Sequence, residues 1–164
     1  MNKVEKIAIA GITGTTFMTL FSYLVSMLKN ENYSEPEHLA TMLHRFIPST
    51  SKKFNQVAGW NAHYAVGLAF AAVYVKLWEA RKIKPTIVNG LALGAISGAF
   101  AVAVWKLTFK IHPLPPWINF NKFYMQLVPA HVVFGLFATI AYRIMKQNEE
   151  IIKGKQVGMD LSTV

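Results

Sequence analysis

Four long apolar stretches, separated by polar connections, dominate the pattern of hydrophobic and polar positions along this chain. Each is about 20 residues long, the length at which a helix crosses the hydrocarbon core of a bilayer. The charged residues within them, Lys76, Lys106 and Arg143, lie close to an end, where long side chains reach the headgroups. The pattern predicts four transmembrane helices, at residues 7–28, 59–78, 87–108 and 124–145.

The first connection carries a second, shorter helical pattern. In its segment SEPEHLATMLHRFI, Ser34 is followed three residues later by Glu37, which is typical of a capping box at a helix start. Apolar residues recur at helical spacing over 39–47, and this predicts a short amphipathic helix on the outer face of the membrane. After Lys146 the chain becomes polar, and we predict a frayed tail over 147–164.

The distribution of positive charge predicts the orientation of the helices. Of the 17 Lys and Arg residues, ten fall with the two termini and the second connection, and seven fall on the opposite side. Because cytoplasmic segments are enriched in Lys and Arg, both termini are predicted to lie in the cytoplasm. The expected location is the cytoplasmic (inner) membrane of a bacterium. The first apolar stretch is expected to stay uncleaved, because it is too long for a typical signal peptide.

The amino-acid composition limits the classes of protein to which this chain can belong. At 164 residues, with 53% hydrophobic and 15% charged residues, the chain is predicted to form a single integral membrane domain. Its net charge of +9 comes mainly from residues between and beyond the apolar stretches, where they contact anionic lipid headgroups. No basic stripe or stacking motif indicates binding to nucleic acid. The lack of cysteine excludes disulfides and thiolate metal sites.

Small residues indicate how the predicted helices pack. Gly90, Gly94 and Gly98 form a doubled GxxxG pattern on one face of the third span, and Gly11 and Gly14 lie in the first. Glycine lets two helix backbones approach closely inside a bilayer. The neighbour is either another helix of the same four-helix bundle or a second copy of the chain. The sequence therefore leaves open whether the chain forms a homo-oligomer or joins a larger membrane complex.

Polar residues cluster where the second and fourth spans begin. At 1.5 Å per residue, His63 lies about 6 Å and His131 about 10 Å below the start of its span. Both are therefore predicted at a similar depth in the outer half of the membrane. Asn61, Tyr64 and Gln126 fall in the same layer. These five residues form the predicted ligand-binding site.

Two histidines on neighbouring helices allow several kinds of site. They ligate a metal or haem iron, shuttle a proton or bind a quinone oxygen, and they also occur as neutral, hydrogen-bonded structural residues. The cofactor and the metal stay unknown at this stage. Every Asp and Glu lies outside the four apolar stretches, and no GxSxG elbow or P-loop is present, so catalysis is not favoured. His38 lies in the first connection and is expected to be solvated.

Three segments resemble an uncharacterised family of small bacterial four-helix membrane proteins. They are GITGTTFMTLFSYLV in the first span, GWNAHYAVGLAFAAVYV in the second and HVVFGLFATIAYRI in the fourth. The positions that carry the resemblance are Gly59, Trp60, His63, Tyr64, Gly67, His131, Phe134 and Gly135. Members often have an aspartate after the methionine of the first span, where this chain has Thr19 after Met18. The resemblance implies the membrane class and marks out His63 and His131, without implying an activity.

Two hypotheses for function follow from these patterns. The first is a non-enzymatic binding or transport-associated protein that holds a small amphiphile, metal or cofactor in an outer-leaflet pocket. The alternative is a structural or assembly subunit, which packs against itself or a larger membrane complex through the face of Gly90, Gly94 and Gly98. A membrane enzyme acting on lipid or quinone is less favoured, because the spans contain no catalytic acid.

Overall fold

The computed structural model of the chain describes residues 1–161, and of 153 and 155–161 it describes the backbone alone. The described residues form helices and no strands, so the all-α prediction is confirmed. The helices are α1 (Lys3–Lys29), α2 (Glu35–Phe46), α3 (Lys52–Glu79), α4 (Ile87–Ile111) and α5 (Phe120–Leu161). α5 continues through most of the predicted tail, and the last three positions of that tail, 162–164, lie outside the described residues.

Side-chain caps fix the starts of α1, α3 and α4. Asn2 and Glu5 form a capping box at α1, and Ser51 and Thr86 accept the N–H groups of the third residues of α3 and α4. Each cap satisfies a backbone donor that the first helical turn leaves without a partner. The chain therefore marks these helix starts by local chemistry.

The capping box predicted at Ser34 does not form. Ser34 is the residue before α2, but its side chain makes no cap hydrogen bond. Its hydroxyl donates instead to the Tyr23 hydroxyl at 3.3 Å, and Glu37 accepts hydrogen bonds from Tyr23 and from Asn32. These contacts tie the start of α2 to the end of α1, which is a tertiary role that the local pattern did not predict.

Three helices, not the four predicted, are long and apolar enough to span a membrane. They are α1, α4 and the part of α5 from Phe120 to Ile152. The stretch 59–78 lies in α3, which has 28 residues and is therefore long enough. Its polar residues, Asn61, His63 and Lys76 among them, lower its mean hydropathy, and this is why α3 falls outside the group.

The four long helices pack in the order α3–α1–α5–α4, and α2 packs against α3. α1 and α5 therefore form the middle of the protein, and α3 and α4 flank them. The flanking helices meet through a hydrogen bond of 2.8 Å between the hydroxyls of Tyr74 and Ser97 and an edge contact between Phe70 and Phe100. A gap stays between α3 and α4 on the α2 side of these contacts.

Glycines allow the closest helix contacts. A Cβ atom on Gly94 would lie 2.7 Å from Cα of Val132, and one on Gly98 would lie 2.7 Å from Cα of Val128. Both neighbours are backbone atoms of α5, which cannot move aside locally. The face of Gly90, Gly94 and Gly98 is therefore covered by α5 of the same chain.

Two clusters of buried side chains hold the helices together. The cluster away from α2 includes Met18, Tyr74, Trp78, Leu93, Phe134, Tyr142 and Met145. The cluster beside α2 consists of Tyr33, Met42, Trp105, Phe109, Phe123 and Leu127. Because the second cluster joins residues of α2, α4 and α5, it fixes α2 across the end of the long helices. We refer to this as the α2 end of the protein.

His38 of α2 is buried, which corrects the expectation that it is solvated. It is 2% exposed, and its ring lies edge-on to Phe123 at 5.1 Å between centroids. Its Nε2–H donates to the carbonyl of Asn32 at 3.0 Å. Burial lowers the pKa of His38, although the Asn32 carbonyl acts in the opposite direction. α2 thus buries a full face against protein.

Candidate functional site

A cavity of about 260 Å³ lies between α3 and α4 at the α2 end of the protein. Its wall has residues from α2, α3, α4 and α5. They are Glu35, Leu39, His63, Val66, Phe70, Phe100, Ala101, Val104, Trp105, Thr108 and His131. One end of the cavity is polar, and the remaining wall is apolar or aromatic apart from Thr108.

His63 and His131 both line this cavity, although they come from different helices. Each lies eleven residues after the first residue of its helix, which is Lys52 for α3 and Phe120 for α5. At 1.5 Å per residue this places both about 16 Å from those starts. The two imidazoles meet at one cavity, and the equal spacing fits the similar depth that the sequence pattern predicts.

The hydrogen bonds of His63 fix which ring nitrogen carries its proton. Nε2 of His63 lies 2.8 Å from Oγ1 of Thr19. The Thr19 hydroxyl donates its own hydrogen to the Thr15 carbonyl at 2.7 Å, so it can only accept from the imidazole. The proton of neutral His63 is therefore on Nε2. Its Nδ1 carries a lone pair.

His131 is fixed in the opposite tautomer. Its Nδ1 lies 2.8 Å from the carbonyl oxygen of Leu127, one turn earlier in α5. Because a carbonyl only accepts, Nδ1 carries the proton and Nε2 carries the lone pair. Within the described residues Nε2 makes no hydrogen bond, and the ring is 3% exposed. Its edge contact with Phe70, at 5.6 Å between centroids, holds the ring in place.

Glu35, the first residue of α2, is the third polar group of the cavity. Its Oε2 lies 3.7 Å from Nδ1 of His63, slightly beyond hydrogen-bond length. Its Oε1 is buried and has no hydrogen-bond partner among the described residues. Burial raises the pKa of Glu35 to about 7, against a smaller opposing influence of the Trp105 indole. The carboxyl group therefore exchanges its proton near neutral pH.

The cavity opens sideways through an apolar mouth between α3 and α4. Val66 is 53% exposed, Phe100 is 60% exposed and Val104 is 44% exposed, and all three line the cavity. The polar end lies deeper, where Glu35 is 7% and His63 is 4% exposed. A molecule that enters through the mouth passes apolar side chains before it reaches the polar groups.

Three of the five predicted site residues do not line the cavity. Asn61 is exposed, Tyr64 pairs with the Thr16 hydroxyl at 3.0 Å, and Gln126 donates to the Ser22 hydroxyl at 2.8 Å. A helix turns about 100° per residue, so residues at one depth point in different directions. The prediction rested on depth along the helices and took no account of the helix face. The predicted pocket is therefore corrected to His63 and His131 together with Glu35.

Glu35 was not predicted as a site residue because it lies outside the apolar stretches, in the first connection. The structure corrects the conclusion that no acid is available, since α2 delivers one from the first connection. The sequence nevertheless contains a pattern that indicates the burial of Glu35. Glu35, Leu39 and Met42 recur at i, i+4 and i+7, which puts the acid on the apolar face of the amphipathic helix. An acid on an apolar face is expected to be buried.

The donor set does not have the spacing of a metal centre. Among the described residues, no group of three or more His, Cys, Asp or Glu is placed to hold a metal ion. Glu35, His63 and His131 therefore do not converge as a three-ligand site. Their free atoms instead face a common space large enough for part of an organic molecule.

Comparisons with protein-family models, curated proteins and solved structures find no match to this chain. The resemblance to small bacterial four-helix membrane proteins therefore stays a prediction. The geometry of the cavity is what bears on function. It combines three buried polar groups, an aromatic and aliphatic wall, and an opening toward the outer surface of the helices.

Proposed function

We propose that this protein is a non-enzymatic membrane protein that binds a small amphiphile in the cavity between α3 and α4. The polar head group contacts Glu35, His63 and His131, and the apolar part extends through the mouth toward the lipid. The observation that supports this proposal most directly is the distribution of side chains along one cavity. They are polar at its buried end and apolar at its opening.

The buried polar end has unused hydrogen-bonding capacity. Oε1 of Glu35 has no partner, and each histidine has one ring nitrogen whose lone pair is free. A buried polar group without a hydrogen bond costs about 1 to 3 kcal/mol. Oε1 of Glu35 is such a group, and the two histidine lone pairs face the same space, so a ligand that donates hydrogen bonds would complete all three.

The size of the cavity suits a single ring or a short polar head. An apolar cavity of about 150 Å³ is known to hold benzene. The cavity here, at about 260 Å³, has room for a substituted ring, and a longer tail leaves through the mouth. The exposed apolar residues at the mouth suit a tail that continues among lipid chains.

We also propose that α3 is a fourth membrane-embedded helix, with both termini in the cytoplasm of a bacterial cell. α3 packs along α1, which is apolar enough to span the membrane. Its side away from α1 exposes Val66 and Val73, which suit contact with lipid. Its polar residue His63 is turned inward and 4% exposed. The excess of Lys and Arg with the termini and the α3–α4 connection supports the orientation.

Single cysteines test this topology directly, because the chain has none of its own. Ser49→Cys lies before α3 and Lys82→Cys lies after it, and both positions are exposed. We expect a membrane-impermeant maleimide to label Ser49→Cys in intact cells and to label Lys82→Cys only after permeabilisation. Labelling of both cysteines from the same side would rule out α3 as a span.

A small lipid-soluble phenyldiazirine tests the cavity itself. After photolysis in detergent, we expect mass spectrometry to find label on Leu39 and Trp105, which lie inside the cavity. Ala101→Phe should reduce that label about 10-fold, because the added ring fills the cavity. Ala99→Phe, an exposed position two residues away, is the matched control and should leave the label unchanged. Equal labelling in both variants would show that no molecule enters the cavity.

Assembly through the glycine face of α4 has less support as a function. A second chain would need access to Gly90, Gly94 and Gly98, and α5 already covers that face at backbone contact distance. Oligomers that use other surfaces are compatible with the cavity. Ligand binding is therefore the function that the geometry favours.

A further inference from the structure

The hydrogens at the polar end of the cavity are already used by the protein. The Nε2–H of His63 bonds to Thr19, and the Nδ1–H of His131 bonds to Leu127. The hydroxyl of Thr108, which also lines the cavity, donates to the Val104 carbonyl at 2.9 Å. Each of these hydrogens points away from the space that a ligand would occupy.

Apart from the Trp105 indole N–H, which is directed to Glu35, the groups that stay free are acceptors. They are the lone pairs on Nδ1 of His63 and Nε2 of His131 and the unpartnered Oε1 of Glu35. When Glu35 is protonated, its hydrogen is best placed on Oε2, which faces Nδ1 of His63 at 3.7 Å, so Oε1 of Glu35 and Nε2 of His131 are then the free acceptors. Oε1 then stays an acceptor in both protonation states of the acid.

We propose that the cavity selects an amphiphile whose head is a single ring bearing hydroxyl groups, such as a phenol or quinol, over its ether or carbonyl counterpart. This inference rests on the proposed function and names the ligand class for the same site. A ring hydroxyl donates to the free acceptors of Glu35, His63 and His131. An ether or a quinone carbonyl brings only further acceptors, so the buried polar groups keep no partner.

The walls favour a ring as the carrier of those hydroxyls. Phe70, Phe100 and Trp105 surround the space with aromatic surface, and Phe70 lies edge-on to both Phe100 and His131. Aromatic rings pack well in offset and edge-to-face arrangements with such a wall. A single substituted ring also matches the volume of about 260 Å³.

A hydroxyl fits this site better than an ammonium group, the other common donor. A buried ammonium needs a full negative charge beside it. Glu35 is the only acid that lines the cavity within the described residues, and burial raises its pKa to about 7, so its charge is incomplete near neutral pH. The lone pairs of His63 and His131 accept hydrogen bonds but supply no negative charge to balance an ammonium group. A neutral donor makes the same hydrogen bonds without that requirement.

Competition against phenyldiazirine labelling of Leu39 and Trp105 tests the inference in the full-length protein. The competitors are para-nonylphenol, its methyl ether para-nonylanisole and nonylammonium, which share one tail length. At pH 7 we expect para-nonylphenol to halve the labelling at a concentration about 10-fold lower than para-nonylanisole. One hydrogen bond to a buried acceptor corresponds to a difference of this size.

Substitutions test whether the preference for the phenol over the ether depends on the acceptor atoms of the cavity. In His131→Phe the preference for the phenol over the ether should fall several-fold, because one acceptor is lost. His44→Phe, at an exposed position outside the cavity, should keep the full preference. Persistent labelling of Trp105 by the diazirine reports that the cavity of each variant is intact. If His131→Phe loses the labelling, Glu35→Gln gives the same test, since its amide adds a donor and should improve binding of the ether.

The outcomes separate the inference from the proposed function. Equal competition by phenol and ether, or no competition by either against cavity labelling, would overturn selection of a hydroxyl donor and leave the proposed cavity standing. Stronger competition by nonylammonium than by the phenol would overturn the choice of head group. Labelling that is insensitive to Ala101→Phe would remove the cavity as a binding site and both proposals with it.

Discussion

Gly94→Ala is expected to lower the free energy of unfolding by about 3 kcal/mol, the upper end of the usual cost of overpacking. The added methyl group would meet the carbonyl oxygen of His131 and lie 2.7 Å from Cα of Val132. Both are backbone atoms of α5, so the two helices must separate to admit it. Thermal or denaturant unfolding in a defined detergent, followed by circular dichroism, measures the loss.

The same substitution is expected to disturb the cavity. Gly94 contacts the backbone at His131, so separation of α4 from α5 moves the imidazole away from the α3 side of the site. Phenyldiazirine labelling of Trp105 should therefore fall in parallel with stability. The glycine face and the cavity are coupled through the contacts of Gly94 and Gly98 with His131.

Gly154→Ala is the matched control, because it makes the same chemical change on a helix. A Cβ atom at Gly154 would have no atom within 4 Å. Alanine is the better helix former, so this variant should be as stable as the natural chain or slightly more so. A loss of stability at Gly154 as large as that at Gly94 would show that the loss at Gly94 does not come from its close contact with α5.

The helices could be predicted from the sequence because hydropathy marks their apolar parts, whereas the one cap predicted, at Ser34, does not form. The predicted stretches 7–28, 87–108 and 124–145 all lie inside observed helices, which extend further at their ends. Hydropathy marks only the apolar part of a helix, whereas α5 continues through polar residues as far as Leu161. The prediction of a frayed tail took no account of this continuation, which covers residues 147–161.

The candidate site could be predicted only in part. The depth of His63 and His131 follows from counting residues along straight helices, and the structure places both on one cavity. The side to which each residue points depends on how every helix is rotated in the bundle, and one sequence does not determine this rotation. Asn61 and Gln126 were chosen by depth alone, and neither of them lines the cavity. Glu35 depends on the docking of α2, which is a tertiary arrangement.

Glu35→Gln is expected to remove the loss of stability with rising pH that this acid contributes between pH 4.5 and 7. Burial raises the pKa of Glu35 from 4.5 to about 7, so the folded protein holds this proton more tightly than the unfolded chain does. Stability from this group is therefore fully present at low pH and is lost as the pH rises to 7. A shift of this size corresponds to about 3 kcal/mol. Unfolding in detergent at several pH values measures it.

The difference between the natural chain and Glu35→Gln isolates the acid from other titrating groups. The groups that face it are His63 from α3, Trp105 from α4 and, across the cavity, His131 from α5, and all three are kept in the variant. Glu37→Gln, an exposed position on the same helix, is the control and should follow the natural pH dependence. We expect the Glu35→Gln variant to match the natural chain near pH 4.5 and to exceed it in stability near pH 8. Parallel curves for the two proteins would mean that the buried carboxyl carries its charge without penalty, and its proton would then have no part in the chemistry of the cavity.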